Sequence, residues 1–404
     1  MYMLGRFAPG KTACEQAARI AQATGDQLLL ARSISTSANI AQAQGDLSEA
    51  LTQHRRALEI VRRIGSRRDA AGALINIGNV QSAQGVHSAA AQSYQAGLAE
   101  AREINDQALT QTLLNNLAGE NQIIGNFTVA LSLFQKSLET ARAIHDQAGT
   151  GRALSNIGSI YSLQGNFSAA LQNIQDAMKT GQETGLKSDQ VGFLYAMGDT
   201  KLAQGDLAAA ESNYQSGQGL ATRINDNINV AVGQLSVASL RLQQGKAGEA
   251  LPLARQAADA FHTKGMKDQE SQSRNLVASC LLDLRKPEEA ATELQAAQNL
   301  SPQDPTIKLA IAITASRIAV RGGKTAQSRK ELESVAAEAR RMGIPGLQFE
   351  ARLAQGELGL FGGDRSASIA VLSSLQQEAS RKGYKQFEIR AGGLAEQLRG
   401  SKPS

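Results

Sequence analysis

Residues 5–12, Gly-Arg-Phe-Ala-Pro-Gly-Lys-Thr, match the pattern G-x-x-x-x-G-K-[ST], in which backbone N–H groups cradle phosphates. That loop needs a preceding strand and a surrounding parallel sheet, but only four residues stand before it and helical spacing follows it. A turn of a repeat explains the motif better, because Gly5 stands forty residues before Gly45. A second phrase at 322–325 fails, since Ile318 occupies the first glycine position. We therefore expect no nucleotide site.

The histidines are the next candidates for chemistry, as metal ligands or general bases. His54, His87, His145 and His262 lie in different segments, and none has a partner at i+4 of the kind that binds metals. The spacing favours surface or inter-repeat roles for them. The chain also lacks a nucleophile elbow, a kinase catalytic loop and a paired nucleophile and base. The sequence therefore predicts a protein that is not an enzyme and uses no cofactor and no metal.

Asparagines form the one polar series that recurs at a fixed spacing. Asn76, Asn116 and Asn156 stand forty residues apart, and Asn79 and Arg152 lie in the same segments. A column of amides is able to donate to and accept from the backbone of an extended peptide. Alternatively, each amide bonds a neighbouring repeat or a buried water and stabilises the stack. The sequence leaves both interpretations open.

The elements that carry these residues repeat every forty residues, and glycine marks the repeat. The glycines at this interval are Gly5, Gly45, Gly85, Gly125, Gly165, Gly205 and Gly245. A small residue follows each of the last six by five positions, at Ala50, Ala90, Ala130, Ala170, Ala210 and Ala250. Apolar residues on both sides fall at helical spacing, which predicts a helix, a glycine turn and a second helix in each repeat. The small residues are expected where the two helices cross closely.

This period predicts an all-α solenoid of about nine antiparallel helix pairs, because one supersecondary unit is stacked many times. The predicted segments are a truncated half repeat (1–25), six regular repeats (26–265), three divergent repeats (266–383) and a capping helix with a tail (384–404). We expect one elongated domain, with its nearest approach to a joint at 301–305. Because the chain starts in mid-repeat, we also hypothesise that Met1 is not the natural start or that the chain is part of a longer protein.

The turn Gly-Asp/Asn, the paired small residues and the aromatic at Tyr94, Phe134 and Tyr214 resemble tetratricopeptide repeats. The forty-residue length, with Leu-Ser-Asn-Ile-Gly-Ser-Ile-Tyr at 154–161, is similar to the class in kinesin light chains and spindle-orientation adaptors. The resemblance implies a right-handed superhelix whose concave face is lined by the first helix of each pair. It also implies an adaptor that binds a protein or peptide there, with Asn76, Asn79, Asn116, Asn156 and Arg152 as candidate contacts.

The segments 346–357 and 381–384 resemble the C-terminal repeat arrays of large bacterial signalling proteins. In those proteins a Ser/Thr kinase domain or a winged-helix DNA-binding domain precedes the repeats. This second resemblance implies an alternative function, in which the chain is the regulatory or sensor region of such a protein and the effector domain lies elsewhere.

Composition limits the remaining classes. The 404 residues are 42% hydrophobic and 4% aromatic, with a formal net charge of +5. The densest basic run, at 55–68, is better explained as a solvated helix face, and no aromatic platform for base stacking accompanies it. The two cysteines, Cys14 and Cys280, do not suggest a disulfide framework. Without a signal peptide or a run of roughly 18 apolar residues, we expect a soluble cytoplasmic protein that binds neither nucleic acid nor membrane.

Overall fold

A computed structural model describes residues 7–400, and within that range every regular element is a helix. The α-helices are α1 (Phe7–Thr24), α2 (Gln27–Ala43), α3 (Leu47–Arg63), α4 (Arg67–Ala83), α5 (His87–Glu103), α6 (Gln107–Ile123), α7 (Phe127–Ala143), α8 (Gln147–Leu163), α9 (Phe167–Thr184), α10 (Lys187–Gln204), α11 (Leu207–Arg223), α12 (Asn227–Gln243), α13 (Ala247–Thr263), α14 (Lys267–Asp283), α15 (Pro287–Asn299), α16 (Pro305–Arg321), α17 (Thr325–Arg341), α18 (Pro345–Glu357), α19 (Arg365–Arg381) and α20 (Lys385–Gly400). A 3₁₀ turn, Leu358–Leu360, follows α18. The chain is an all-α repeat solenoid, as the sequence predicts.

Each repeat consists of a first helix with an even number, from α2 to α18, and the second helix that follows it. The predicted turn glycine lies between them in the left-handed region, as at Gly45 (φ +88°) and Gly205 (φ +83°). The next residue caps the second helix where it is Asp, so Asp46 accepts a 3.0 Å hydrogen bond from the N–H of Glu49. The turn is therefore encoded locally, by a residue without Cβ and a capping carboxylate.

A second series of left-handed residues links each second helix to the next repeat, and the sequence analysis did not single it out. Glycine occupies this position at Gly25, Gly65, Gly185 and Gly265. Asn105, His145 and Asn225 adopt the same positive φ where glycine is absent. Because three of these seven positions are not glycine, the series carries less signal than the forty-residue one.

The small residues lie where the paired helices touch. The six alanines from Ala50 to Ala250 at the forty-residue interval are completely buried. A Cβ on Gly158 would lie 2.6 Å from Cγ1 of Ile174, and one on Gly78 would overlap the ring of Tyr94. The close crossing of the two helices in each repeat therefore depends on these residues, as expected.

Packing divides the described residues into two compact units, residues 7–150 (unit 1) and 151–400 (unit 2). The repeated knobs fill the core of each unit, with Leu74 and Leu114 buried in unit 1 and Leu154 and Val277 in unit 2. The shortened repeat lies within unit 2, where α15 has 13 residues.

The phosphate-loop match is explained by the repeat. Gly5 lies outside the described residues, but α1 has already begun at Phe7 and Gly10 is buried in it. Residues 7–10, which would form most of the loop before Lys11, are therefore helical. At the second phrase, Gly323 (φ +83°) is the left-handed turn residue before α17.

Within residues 7–400, none of the helices is both long and apolar enough to cross a bilayer.

Candidate binding chamber

Four first helices of unit 2, together with α20, line a cavity of about 680 Å³ that is partly open to solvent, and we call it the large compartment. Its walls come from α12, α14, α16, α18 and α20, together with Leu360 and Phe361 of the 3₁₀ turn. Some lining residues stand at the same repeat positions as the predicted site residues. At multiples of forty residues, Leu276 corresponds to Asn76, and Ser239 and Ser279 correspond to Asn79. The face that the resemblance assigns to ligands is thus the one that surrounds a cavity in unit 2.

Opposite charges from α16, α18 and α20 meet in the wall of the large compartment. The guanidinium of Arg317 on α16 donates two hydrogen bonds to the carboxylate of Glu357 on α18, at 2.9 and 3.0 Å. It also lies 2.7 Å from Glu350. Glu350 in turn accepts a 3.3 Å hydrogen bond from Arg390 on α20. The network ties two successive repeats and the final helix together through side chains that face the cavity.

The arginines control the ionisation of this network. Burial acts to raise the pKa of Glu350, but Arg390 and Arg317 outweigh it and lower the pKa to about 2. Burial acts to lower the pKa of Arg317, but Glu357 and Glu350 raise it above its usual value. Glu350 and Arg317 therefore remain charged at neutral pH.

Other polar groups in the compartment could form further ion pairs or hydrogen bonds. Asp283 makes no ion pair within residues 7–400. Arg321 donates to the carbonyl of Arg317 at 2.8 Å, and its guanidinium lies 5.1 Å from the centroid of the Phe361 ring. The Oδ1 atom of Asn275 is enclosed and has no hydrogen-bond partner among the described residues. A buried acceptor left unpaired costs free energy. A donor that bonds to this atom would therefore be stabilising.

A second cavity of about 350 Å³, the small compartment, shares Asn275, Ala310 and Leu347 with the large one. Its wall is mostly apolar. Leu163 of α8 and Ala203 of α10 line one side, while helices α14, α16 and α18 and residue Tyr384 line the others. The two compartments therefore adjoin each other, one with a charged wall and one with an apolar wall, and together we call them the chamber.

Asp199 adds a titratable group to the small compartment. Its Oδ1 accepts a 2.7 Å hydrogen bond from the hydroxyl of Tyr214. Loss of hydration raises the pKa of Asp199 to about 6, against the opposing effect of that hydrogen bond.

The predicted site residues are all on first helices, but their surroundings differ. Asn76 and Asn116 are half-buried in unit 1, and neither side chain makes a hydrogen bond to any residue the structure describes. Asn156 is half-buried in unit 2. Asn79 accepts a 2.7 Å hydrogen bond from the hydroxyl of Tyr94. Arg152 pairs with Asp189 at 3.0 Å.

The histidines have mostly structural surroundings. His54 is completely buried, with Nδ1 3.2 Å from the hydroxyl of Ser35, and burial lowers its pKa to about 4. His87 and Glu120 form a buried pair at 2.8 Å. In the part of the chain that the structure covers, no cluster of three or more His, Cys, Asp or Glu side chains is arranged to hold a metal ion.

The chamber residues were not among the sequence candidates, although a signal for them exists. Arg317 and Glu357 stand forty residues apart, as do Glu350 and Arg390. Opposite charges at one register position of successive repeats become neighbours when the repeats stack. The same search that found the asparagines would have found these pairs.

Comparisons with known proteins agree with this architecture. The profile of the MalT-like TPR region matches residues 104–399, and a tetratricopeptide repeat profile matches residues 29–103. No curated protein sequence matches the chain significantly.

Solved structures share the fold at low identity. A Rap protein complexed with competence and sporulation factor aligns over 76% of this chain and 84% of its own, with 16% identity and a TM-score of 0.59. The apo quorum sensor NprR from B. thuringiensis aligns over 74% and 84%, with 15% identity and a TM-score of 0.55. A STAND signal-transduction ATPase with a tetratricopeptide repeat sensor, from Pyrococcus horikoshii, aligns over 91% of this chain but 55% of its own, with 13% identity and a TM-score of 0.51.

The MalT-like profile alone covers more than half of the sequence, and the chain therefore belongs to the tetratricopeptide-repeat proteins with a MalT-like TPR region.

Proposed function

We propose that this protein is an interaction scaffold that binds a peptide or a protein segment on the inward-facing side of its first helices. The observation that carries the proposal is the chamber of unit 2, which is lined by first helices and contains the unpaired Oδ1 of Asn275. A peptide N–H is a donor of the kind that this acceptor lacks.

The chemistry of the chamber suits a peptide in two further respects. The large compartment carries guanidinium groups and carboxylates in balance, with Arg317, Arg321 and Arg390 facing Asp283, Glu350 and Glu357. Such a wall has no net charge that would attract a polyanion or a polycation, and it suits a ligand with both charges or none. A volume of about 680 Å³ lies within the usual range for ligand pockets, roughly 300–1,000 Å³.

We propose the same role for the asparagine register. Asn76 and Asn116 would each present an amide to the backbone of a segment bound by unit 1, and Asn156 would do so within unit 2. The absence of hydrogen bonds at Asn76 and Asn116 within the described residues supports this use over a role in stacking. Asn79 and Arg152 would contribute only by exchanging or sharing their present partners, Tyr94 and Asp189.

A second candidate function is the regulatory or sensor region of a larger signalling protein. The similarity to a STAND ATPase described as having a tetratricopeptide repeat sensor favours it, since this chain covers 55% of that protein. The Rap protein is described as complexed with a factor, and NprR as a quorum sensor, so chains of this fold include ligand-responsive proteins. In either case we propose that the chain itself binds rather than catalyses.

Site-specific photo-cross-linking tests the proposal. A benzophenone amino acid is placed at Ser279 in the chamber or, as the control, at Ser216 on the exposed side of α11. We expect a defined partner to cross-link from position 279 and not from 216, and to be lost in an Asn275→Ala variant that remains folded. Equal cross-linking from both positions, or no dependence on Asn275, would contradict the proposal.

A further inference from the structure

The turn between α19 and α20 reaches back to repeats that lie far earlier in unit 2. The ring of Tyr384 packs edge-on against that of Phe167, with centroids 4.8 Å apart. Phe167 is the first residue of α9, directly after the turn that contains Gly165. Both aromatic side chains are almost fully buried, at 2% and 6% exposure. A solenoid held only by contacts between neighbouring repeats would not make this contact.

Two more contacts join the same segment to two other repeats. The side-chain amide of Gln386 donates a 3.2 Å hydrogen bond to the carbonyl of Gln243, at the end of α12. The backbone N–H of Gln386 passes so near the turn before α11 that a Cβ on Gly205 would lie 2.9 Å from it. Residues 382–386, which we call the latch, therefore close unit 2 on itself.

The latch also holds together the two groups of helices that form the walls of the small compartment. Leu163 and Ala203 belong to α8 and α10, while Ile307 and Leu347 belong to α16 and α18. The latch brings these two groups of helices face to face, and Tyr384 itself forms part of the wall. If the latch separates, the two sides of the compartment part and its apolar lining is exposed.

The contacts that cross the latch are few compared with those inside a repeat. They include one aromatic pair, one hydrogen bond, the backbone approach at Gly205 and the packing of Tyr384 against the turn at Gly165. An aromatic pair contributes about 0.5–1.5 kcal/mol beyond its area, and a neutral hydrogen bond about 1 kcal/mol. Local opening at such a boundary requires less free energy than unfolding a repeat.

We propose that residues 382–386 act as a latch whose opening widens the small compartment for a ligand and whose closure narrows it around an apolar group of that ligand. This inference rests on the proposed function for the identity of the site, but the opening itself is a property of the chain alone. The closed latch holds the two sides of the small compartment together. A ligand group that contacts both sides therefore favours the closed form.

A cysteine reporter measures the opening without any ligand. Cys14 is replaced by Ser and Cys280 by Ala, and a single cysteine is introduced at Ser162, which lines the small compartment. A matched cysteine at the exposed Ser216 measures the rate at which the reagent modifies an accessible thiol. Ser162 is partly exposed while the latch is closed, so a cysteine there reacts in every variant. A rise in its rate of maleimide modification, divided by the rate at 216, reports a wider or more frequent opening.

We expect Tyr384→Ala to raise this ratio about tenfold, because it removes the aromatic contact across the latch. Tyr195→Ala is the control for lost core volume, since Tyr195 is equally buried in unit 2 but its hydroxyl donates to Asn229 O, away from the latch. An equal ratio in Tyr384→Ala and its parent, or an equal rise in Tyr195→Ala, would overturn the proposal.

A second pair of variants covers the case in which Tyr384→Ala does not fold. Gly205→Ala places a Cβ against the latch backbone, whereas Gly265→Ala introduces the same strain at a positive φ with no atom within 4 Å. We expect only Gly205→Ala to raise the ratio. Identical ratios for these two glycine variants would contradict the latch. Failure of the latch would leave the cross-linking result at Ser279 unaffected, so the two proposals fail separately.

Discussion

The hydroxyl of Tyr94 donates a 2.7 Å hydrogen bond to Oδ1 of Asn79, across the two helices of one repeat. The same relationship recurs at Tyr214 and Asp199, also at 2.7 Å. Where the aromatic is Phe134, which has no hydroxyl, the acceptor position holds Gly119. The polar residue on the first helix thus matches the hydroxyl on the second, which gives Asn79 a structural role whether or not it also contacts a ligand.

We predict that Asn79→Ala lowers the free energy of unfolding by about 1–2 kcal/mol, because the buried hydroxyl of Tyr94 loses its acceptor. A double-mutant cycle with Tyr94→Phe, measured by urea denaturation, isolates the pair. The expected coupling is about 1 kcal/mol. Strictly additive effects of the two substitutions would show that the hydrogen bond contributes nothing.

The two kinds of glycine should respond differently to alanine. Gly245→Ala costs about 1 kcal/mol, because φ is +74° but nothing lies within 4 Å of the new Cβ. Gly158→Ala costs more, about 2–3 kcal/mol, because the Cβ would lie 2.6 Å from Ile174 and 3.0 Å from the carbonyl of Ala170. Thermal or chemical denaturation of both variants tests the order. A Gly158→Ala variant as stable as Gly245→Ala would mean that the helices of this repeat separate easily.

Acid should destabilise unit 1 through His54. Burial lowers the pKa of this histidine from its ordinary 6.5 to about 4 in the folded protein, so between these values the unfolded chain binds more protons. The stabilisation is present above pH 6.5 and is lost as the pH falls towards 4, by up to about 3 kcal/mol. His54→Phe, with the residue found at the equivalent Phe134, should flatten this part of the profile. A profile unchanged by the substitution would assign the acid sensitivity to other groups.

Arg317 should contribute more to stability than an exposed arginine does. Arg317→Met leaves Glu350 and Glu357 without their shared partner in the chamber wall, where their side chains are 24% and 25% exposed. We expect a loss of about 2 kcal/mol or more. Arg341→Met is the control, because its partner Glu338 is on the surface and such pairs contribute roughly 0–1 kcal/mol. Similar losses for the two variants would mean that the network is effectively solvated.

Substituting the three asparagines tests whether their amides contact a ligand or stabilise the stack. If the amides contact a ligand, Asn76→Ala combined with Asn116→Ala and Asn156→Ala weakens partner binding while the melting temperature changes little. If they stabilise the stack instead, the triple variant melts early and the remaining folded protein binds normally. Differential scanning calorimetry and a binding titration on the same preparation distinguish these outcomes.

Local features of this fold could be predicted from the sequence, and long-range ones could not. Gly45 and Asp46 determine a turn through their own backbone conformation and capping, so the period predicts the helix pairs. The contact between Tyr384 and Phe167 follows no period, because it depends on how small rotations add up over many repeats. The pairing of Arg317 with Glu357 could be predicted in part. The forty-residue spacing of the two residues is visible in the sequence, but the burial of the pair is not.

Hydrogen exchange with and without the cross-linked partner tests the central claim most directly. We predict that the partner slows exchange in the first helices of unit 2, above all in α14, α16 and α18, and leaves the exposed second helices α11 and α13 unchanged. Protection confined to the second helices, with the chamber helices unaffected, would contradict a binding site on the inward-facing side of the first helices.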